Sequence, residues 1–177
     1  MTAIAGFIHD GKVWIGGDSA GVSGFDLTRR SDPKVFRNGE FLFGFTSSFR
    51  MGQLLRFSLT APVQTENQDV FEFMCTTFVN AVRDCLKNGG FAKKHNEEET
   101  GGTFLVGYRG RLFLIDSDYQ VGEPMDGYAT CGCGDQACNG ALYATSGMAP
   151  KKRMNLVLQA AERHSAGVRG PFTIESI

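Results

Sequence analysis

The chain has 177 residues, 42% hydrophobic and 21% charged, with a formal net charge of −1. That suits one domain, residues 1–177, with a real core, and no charge excess draws it to nucleic acid or an anionic membrane. No apolar run approaches the ~20 residues that span a bilayer and no signal peptide is recognisable, so the five cysteines read as free thiols and the expected location is the cytoplasm.

Thr2 stands directly behind Met1 and opens the apolar run of residues 3–8, a first strand that ends at the hairpin signal Asp10-Gly11. Residues 12–17 return as a second strand, closing in Gly16-Gly17 and followed by Asp18-Ser19. A Gly/Ser/Asp-rich loop is expected over 19–33. Lys34-Val35-Phe36 and residues 41–45 then form a second hairpin around Asn38-Gly39.

Helical spacing takes over from Ser48 to about Thr60, with Pro62 beyond it, and again from Asp69 to about Leu86, stopped by Asn88-Gly89-Gly90. Cys75 and Cys85 fall on the apolar face of that second helix and read as core. Residues 93–99 mix both charges and predict a solvated connector. Strands resume at 103–108 and 111–115 around Arg109-Gly110. After residues 127–130 comes the turn Cys131-Gly132-Cys133-Gly134, then helices over 135–146 and from Pro150 to about His164, and a short strand at 172–175. Strands, two helices, strands, two helices predict layered α/β packing with antiparallel sheets; this pattern alone leaves a four-layer sandwich and a two-layer domain both open.

The chemistry starts at Thr2. A small residue after Met1 suits removal of the methionine, which puts a hydroxyl and an α-amine on one residue. An α-amine titrates at about 7.7–8.0 and accepts the hydroxyl proton near neutrality without a histidine. Such a nucleophile needs a cation to tune its protonation, a carboxylate to hold that cation, and N–H donors for the oxyanion. Asp18, Lys34 and the strand-to-helix turn at Gly44-Phe45-Thr46-Ser47-Ser48 offer these parts at strand ends.

The stretch Thr2…Gly16-Gly17-Asp18…Lys34-Val35…Phe43-Gly44-Phe45, with Asp18 and Lys34 standing 16 and 32 residues beyond Thr2, resembles the proteasome β-subunit family of N-terminal-nucleophile hydrolases, and most of all its bacterial HslV type. That resemblance implies a four-layer αββα sandwich, two antiparallel sheets between two helical layers. It implies Thr2 as nucleophile, its α-amine as proton acceptor, Lys34 as the tuning cation, Asp18 as the holder of Lys34, and the oxyanion site within 44–48. The reaction implied is peptide-bond hydrolysis through an acyl-enzyme, in a homo-oligomeric ring served by an ATP-dependent unfoldase, with no cofactor and no metal. A silent ring or scaffold subunit, and an amidase acting on a small amide, are the other readings.

Two places depart from the family pattern. Cys133 stands where the family has a serine close to the threonine, and a thiol is larger and a weaker hydrogen-bonding group. The tail, His164 to Gly170, offers Ser165 but no aspartate, and Arg169 has no assignable part. The spacing Cys131-x-Cys133-x4-Cys138 is not that of a zinc site, whose paired cysteines are two to four residues apart with a fourth ligand nearby, and reads as cysteines at a strand end and on a small helix face.

Overall fold

The computed structural model describes residues 1–95 and 98–177. Strands β1 (Ala3–His9) and β2 (Lys12–Gly17) form the expected hairpin. Its turn residues Asp10 and Gly11 both have positive φ, 49° and 72°, the left-handed pair that matches the twist of the flanking strands. The segment 19–33 departs from the expected loop: β3 (Ala20–Ser23) and β4 (Asp26–Arg29) make a small antiparallel ribbon. All four residues of β4 are exposed, so no buried-face alternation marks it in the sequence.

Strands β5 (Val35–Asn38) and β6 (Phe41–Phe45) lead into α1 (Phe49–Phe57), whose N-terminus is capped by the Ser48 side chain accepting from the Arg50 N–H. The second helical stretch runs as α2 (Val70–Phe73), a π-helical turn (Met74–Phe78) and α3 (Val79–Asn88). The wider turn shifts the buried face from Phe73, Met74 and Phe78 to Val79, Val82 and Leu86. Cys75, expected in the core, is therefore exposed, while Cys85 is half-buried. The charged connector is also more ordered than expected. β7 (Lys93–His95) pairs with β8 (Glu98–Thr100), and Arg83 donates to Glu99 at 2.8 Å; Asn96 and Glu97 of that connector lie outside the described residues.

The remaining elements are β9 (Phe104–Tyr108), β10 (Arg111–Ile115), β11 (Val121–Gly122), β12 (Tyr128–Gly132), α4 (Asp135–Ala144), α5 (Pro150–His164) and β13 (Thr173–Ser176). They complete two antiparallel sheets, ordered β12-β1-β2-β13 and β11-β10-β9-β6-β5.

Strand alternation decides the layers. In β1, Ala3, Ala5 and Phe7 face Leu142, Met154, Val157 and Leu158 of α4 and α5, while Ile4 points between the sheets. In β6, Phe41, Phe43 and Phe45 face the layer of α1–α3, while Leu42 points between the sheets. Three buried clusters thus separate four layers: helices, sheet, sheet, helices. The chain is an αββα sandwich. Among the described residues no helix is long and apolar enough to cross a membrane.

Candidate active site

Ala3 begins β1, an interior strand, so Thr2 lies at the strand-end side of the first sheet, beside the end of β2. The β1–β2 ladder sets Ile4 opposite Gly17, which brings Asp18 next to Ala3. Asp18 Oδ1 accepts from the Ala3 N–H at 3.0 Å, and Oδ2 from the Ala20 and Arg169 N–H groups at 2.9 and 3.2 Å. Lys34 comes from the other sheet, one residue before β5, and its carbonyl accepts from the Phe45 N–H.

The two sheets approach closely enough for Lys34 to cross between them because of two glycines. A Cβ on Gly17 would lie 2.7 Å from Ile4 Cδ1 and 3.0 Å from Val35 Cγ2, and one on Gly44 would lie 2.6 Å from Ile15 Cγ2. Across this seam Lys34 Nζ donates to Asp18 Oδ1 at 2.8 Å and to Thr2 Oγ1 at 2.9 Å. Thr2, Asp18 and Lys34 are 5%, 2% and 1% exposed, so this is a buried ion pair holding a hydroxyl. Burial pushes the Lys34 ammonium below its usual range, against the opposing pull of Asp18.

With Met1 attached, both reactive groups of Thr2 are engaged. Its N–H is an amide that donates to Cys133 Sγ at 3.2 Å, and its hydroxyl donates to the Met1 carbonyl. The turn after β12 wraps this residue: the Gly134 N–H donates to the Thr2 carbonyl at 3.2 Å. Gly132, with φ of 99°, presents its Cα where any Cβ would overlap that same carbonyl. Cys133 also takes a hydrogen bond from Ser165 Oγ at 3.2 Å.

The sequence-derived set is therefore brought together in Thr2, Asp18, Lys34, Cys133 and Ser165. Gly44 holds a different place. It sits inside β6, opposite Val35 and Leu105, where contact between the sheets accounts for a glycine. In the following turn, the N–H groups of Phe45, Thr46 and Ser48 donate to the carbonyls of Lys34, Thr103 and Thr46. Among the described residues the Ser47 N–H has no such acceptor, and Ser47 holds a positive φ of 66°. A cleft of about 330 Å³ opens here, lined by Thr2, Lys34, Ser47, Phe49 and by Gly21 and Val22 of β3.

The other cysteines do not join Cys133. Cys131 points between the sheets, where burial pushes its thiol far up. Cys138 packs under α5 and is pushed up to about 12, again by burial. The three point to different places, and among the described residues no group of three metal-ligating side chains gathers.

No protein-family model matches the chain, and no curated protein matches it in sequence. Solved structures do. BPH of Thiobacillus denitrificans in complex with epoxomicin superposes with a TM-score of 0.80 at 16% identity, covering 99% of this chain and 97% of that one. Eukaryotic HslV from Trypanosoma brucei gives 0.68 at 17% identity, over 98% of both chains. Anbu (ancestral beta-subunit) from Yersinia bercovieri gives 0.66 at 13% identity, over 98% of this chain and 80% of that one. The fold is that of an N-terminal-nucleophile hydrolase. That fold is shared with the BPH, HslV and Anbu structures.

Proposed function

We propose that residues 1–177 act as one domain and form a threonine peptidase, with Thr2 as nucleophile once Met1 is removed. The observation that carries this reading is the buried contact of Lys34 Nζ with both Thr2 Oγ1 and Asp18 Oδ1. Removal of Met1 takes away the carbonyl that engages the Thr2 hydroxyl. It also turns the amide N–H beside Cys133 into an amine.

The free amine accepts the hydroxyl proton as Thr2 Oγ1 adds to the substrate carbonyl. The Lys34 ammonium favours the ionising oxygen, and Asp18 holds that ammonium in place. The Ser47 N–H supplies the oxyanion donor, within the 44–48 turn where the resemblance implies it. Collapse of the tetrahedral intermediate expels the peptide amine, which takes the proton from the α-amine and leaves an ester on Thr2. Water, deprotonated by the same amine, then hydrolyses the ester and restores the hydroxyl. Gly21 and Val22 of β3 line the same cleft as Ser47, which suits an extended polypeptide substrate.

Following the HslV-type resemblance, the subunit assembles into a homo-oligomeric ring with an ATP-dependent unfoldase as partner. Phe25, Phe57, Val63, Met125 and Tyr143 are largely exposed apolar side chains that such contacts would cover. The test is hydrolysis of a fluorogenic peptide panel by the mature protein and by Thr2→Ala. Turnover by wild type alone is expected, with a loss of about 1,000-fold or more in the variant. Equal turnover by both removes Thr2 from the mechanism.

A further inference from the structure

The segment between α5 and β13 is a strap that touches the site at both flanks. At one flank, Ser165 Oγ donates to Cys133 Sγ at 3.2 Å, and Cys133 in turn takes the Thr2 N–H. At the other, the Arg169 N–H donates to Asp18 Oδ2 at 3.2 Å, while Ser19 donates to the Arg169 carbonyl from its N–H at 2.9 Å and its hydroxyl at 3.0 Å. Arg169 thus contributes main chain, and its side chain is exposed. Between the flanks lies Gly167, whose missing Cβ leaves room for Met1.

Val168 of the strap is buried against α5, and beyond it one polar side chain of the helix holds the strap. Glu162 Oε1 accepts from the Gly170 N–H at 2.9 Å, next to the residue that holds Asp18. Glu162 lies in the last turn of α5, where a carboxylate is the wrong sign for the helix dipole. Its gain lies outside the helix, in the strap.

We propose that Glu162 is a positioning residue: its carboxylate sets the register of the strap, and through it the placement of Asp18 against Lys34 and of Cys133 against Thr2. Backbone N–H groups of a pinned strap thereby do what side chains of the tail would otherwise do. The inference builds on the reading of Thr2 as nucleophile, yet its structural half stands on the strap alone. A neutral acceptor of the same length suffices for the Gly170 contact, which separates this role from a charge effect.

The test compares wild type, Glu162→Ala and Glu162→Gln as mature full-length protein, by peptide turnover and by amide hydrogen exchange over residues 17–20 and 165–170. In Glu162→Ala, kcat falls about 10- to 100-fold with KM unchanged, and exchange over the two segments quickens about tenfold. Glu162→Gln restores both. Wild-type kcat and exchange in Glu162→Ala would overturn the proposal, as would a Glu162→Gln variant no better than Glu162→Ala. Should Glu162→Ala fail to fold, Glu162→Asp, one methylene shorter, is expected to show the same kcat loss at unchanged KM. If wild type itself turns over no peptide, the Thr2 reading fails, and the exchange comparison still decides the role of Glu162.

Discussion

On one side of the paired sheets, α1–α3 rest on Phe36, Phe41, Phe43, Phe104 and Tyr108. Phe41 stacks on Tyr108 with ring centroids 4.4 Å apart. On the other side, α4 and α5, with Cys138 and Ala161 on their inner faces, rest on Ala3, Ala5 and one fully buried ring, Phe7. The glycines there admit almost nothing: a Cβ on Gly16 would lie 2.6 Å from Met154 Cγ, and one on Gly134 would lie 2.8 Å from Ala3 Cβ. Large rings fill the first interface with buried apolar area and keep the helices at a distance. Small residues bring α5 down onto β1 and β2, so the strap that leaves its end reaches Asp18 and Cys133. One interface contributes mostly stability, and the other places the chemistry.

The sharpest way to break this contrast is Phe41→Ala. Removing a fully buried ring is expected to cost about 3–5 kcal/mol in urea unfolding, while the folded fraction keeps its rate of reaction at Thr2. Gly16→Ala does the reverse. The added methyl displaces Met154 and α5 for only about 1–3 kcal/mol, yet single-turnover reaction at Thr2 slows. A Phe41→Ala protein that loses reactivity while folded, or a Gly16→Ala protein that keeps it, would erase the distinction.

The smallest expected effect concerns the seam itself. Lys34 releases its proton at lower pH folded than unfolded, because burial outweighs the attraction of Asp18. Between those two values the unfolded chain binds more protons, so stability rises with pH and levels off above the unfolded lysine value of about 10.4. Urea titrations of wild type and Lys34→Met between about pH 8 and 11 should show this slope in wild type and not in the variant.

The sequence exposes the contrast unevenly. Asp10-Gly11 and Arg109-Gly110 declare their hairpins because left-handed turn residues have few alternatives, and all four residues have positive φ. Thr2, Asp18 and Lys34 are legible as a spacing because each stands at a strand end; the β1–β2 ladder joins the first two, and close packing of the sheets brings Lys34 to them. The β3–β4 ribbon is not, since it buries almost nothing and its backbone pairing leaves no pattern. The π-helical turn hides in the same way: one extra residue per turn moves Cys75 outward without changing composition. Gly44 reads two ways in sequence because one residue type serves both for oxyanion turns and for close sheet contact, and the contact with Ile15 appears only in the distances. The Glu162–Gly170 contact joins a side chain to a backbone N–H, which no spacing rule reports.

The most direct measurement is the intact mass of the purified protein before and after a peptide epoxyketone, a probe that requires a hydroxyl and a free amine on one residue. The account predicts loss of Met1 and one adduct on wild type, with none on Thr2→Ala and none on any molecule retaining Met1. A mature wild-type protein that takes no adduct, or an adduct that persists in Thr2→Ala, would contradict it.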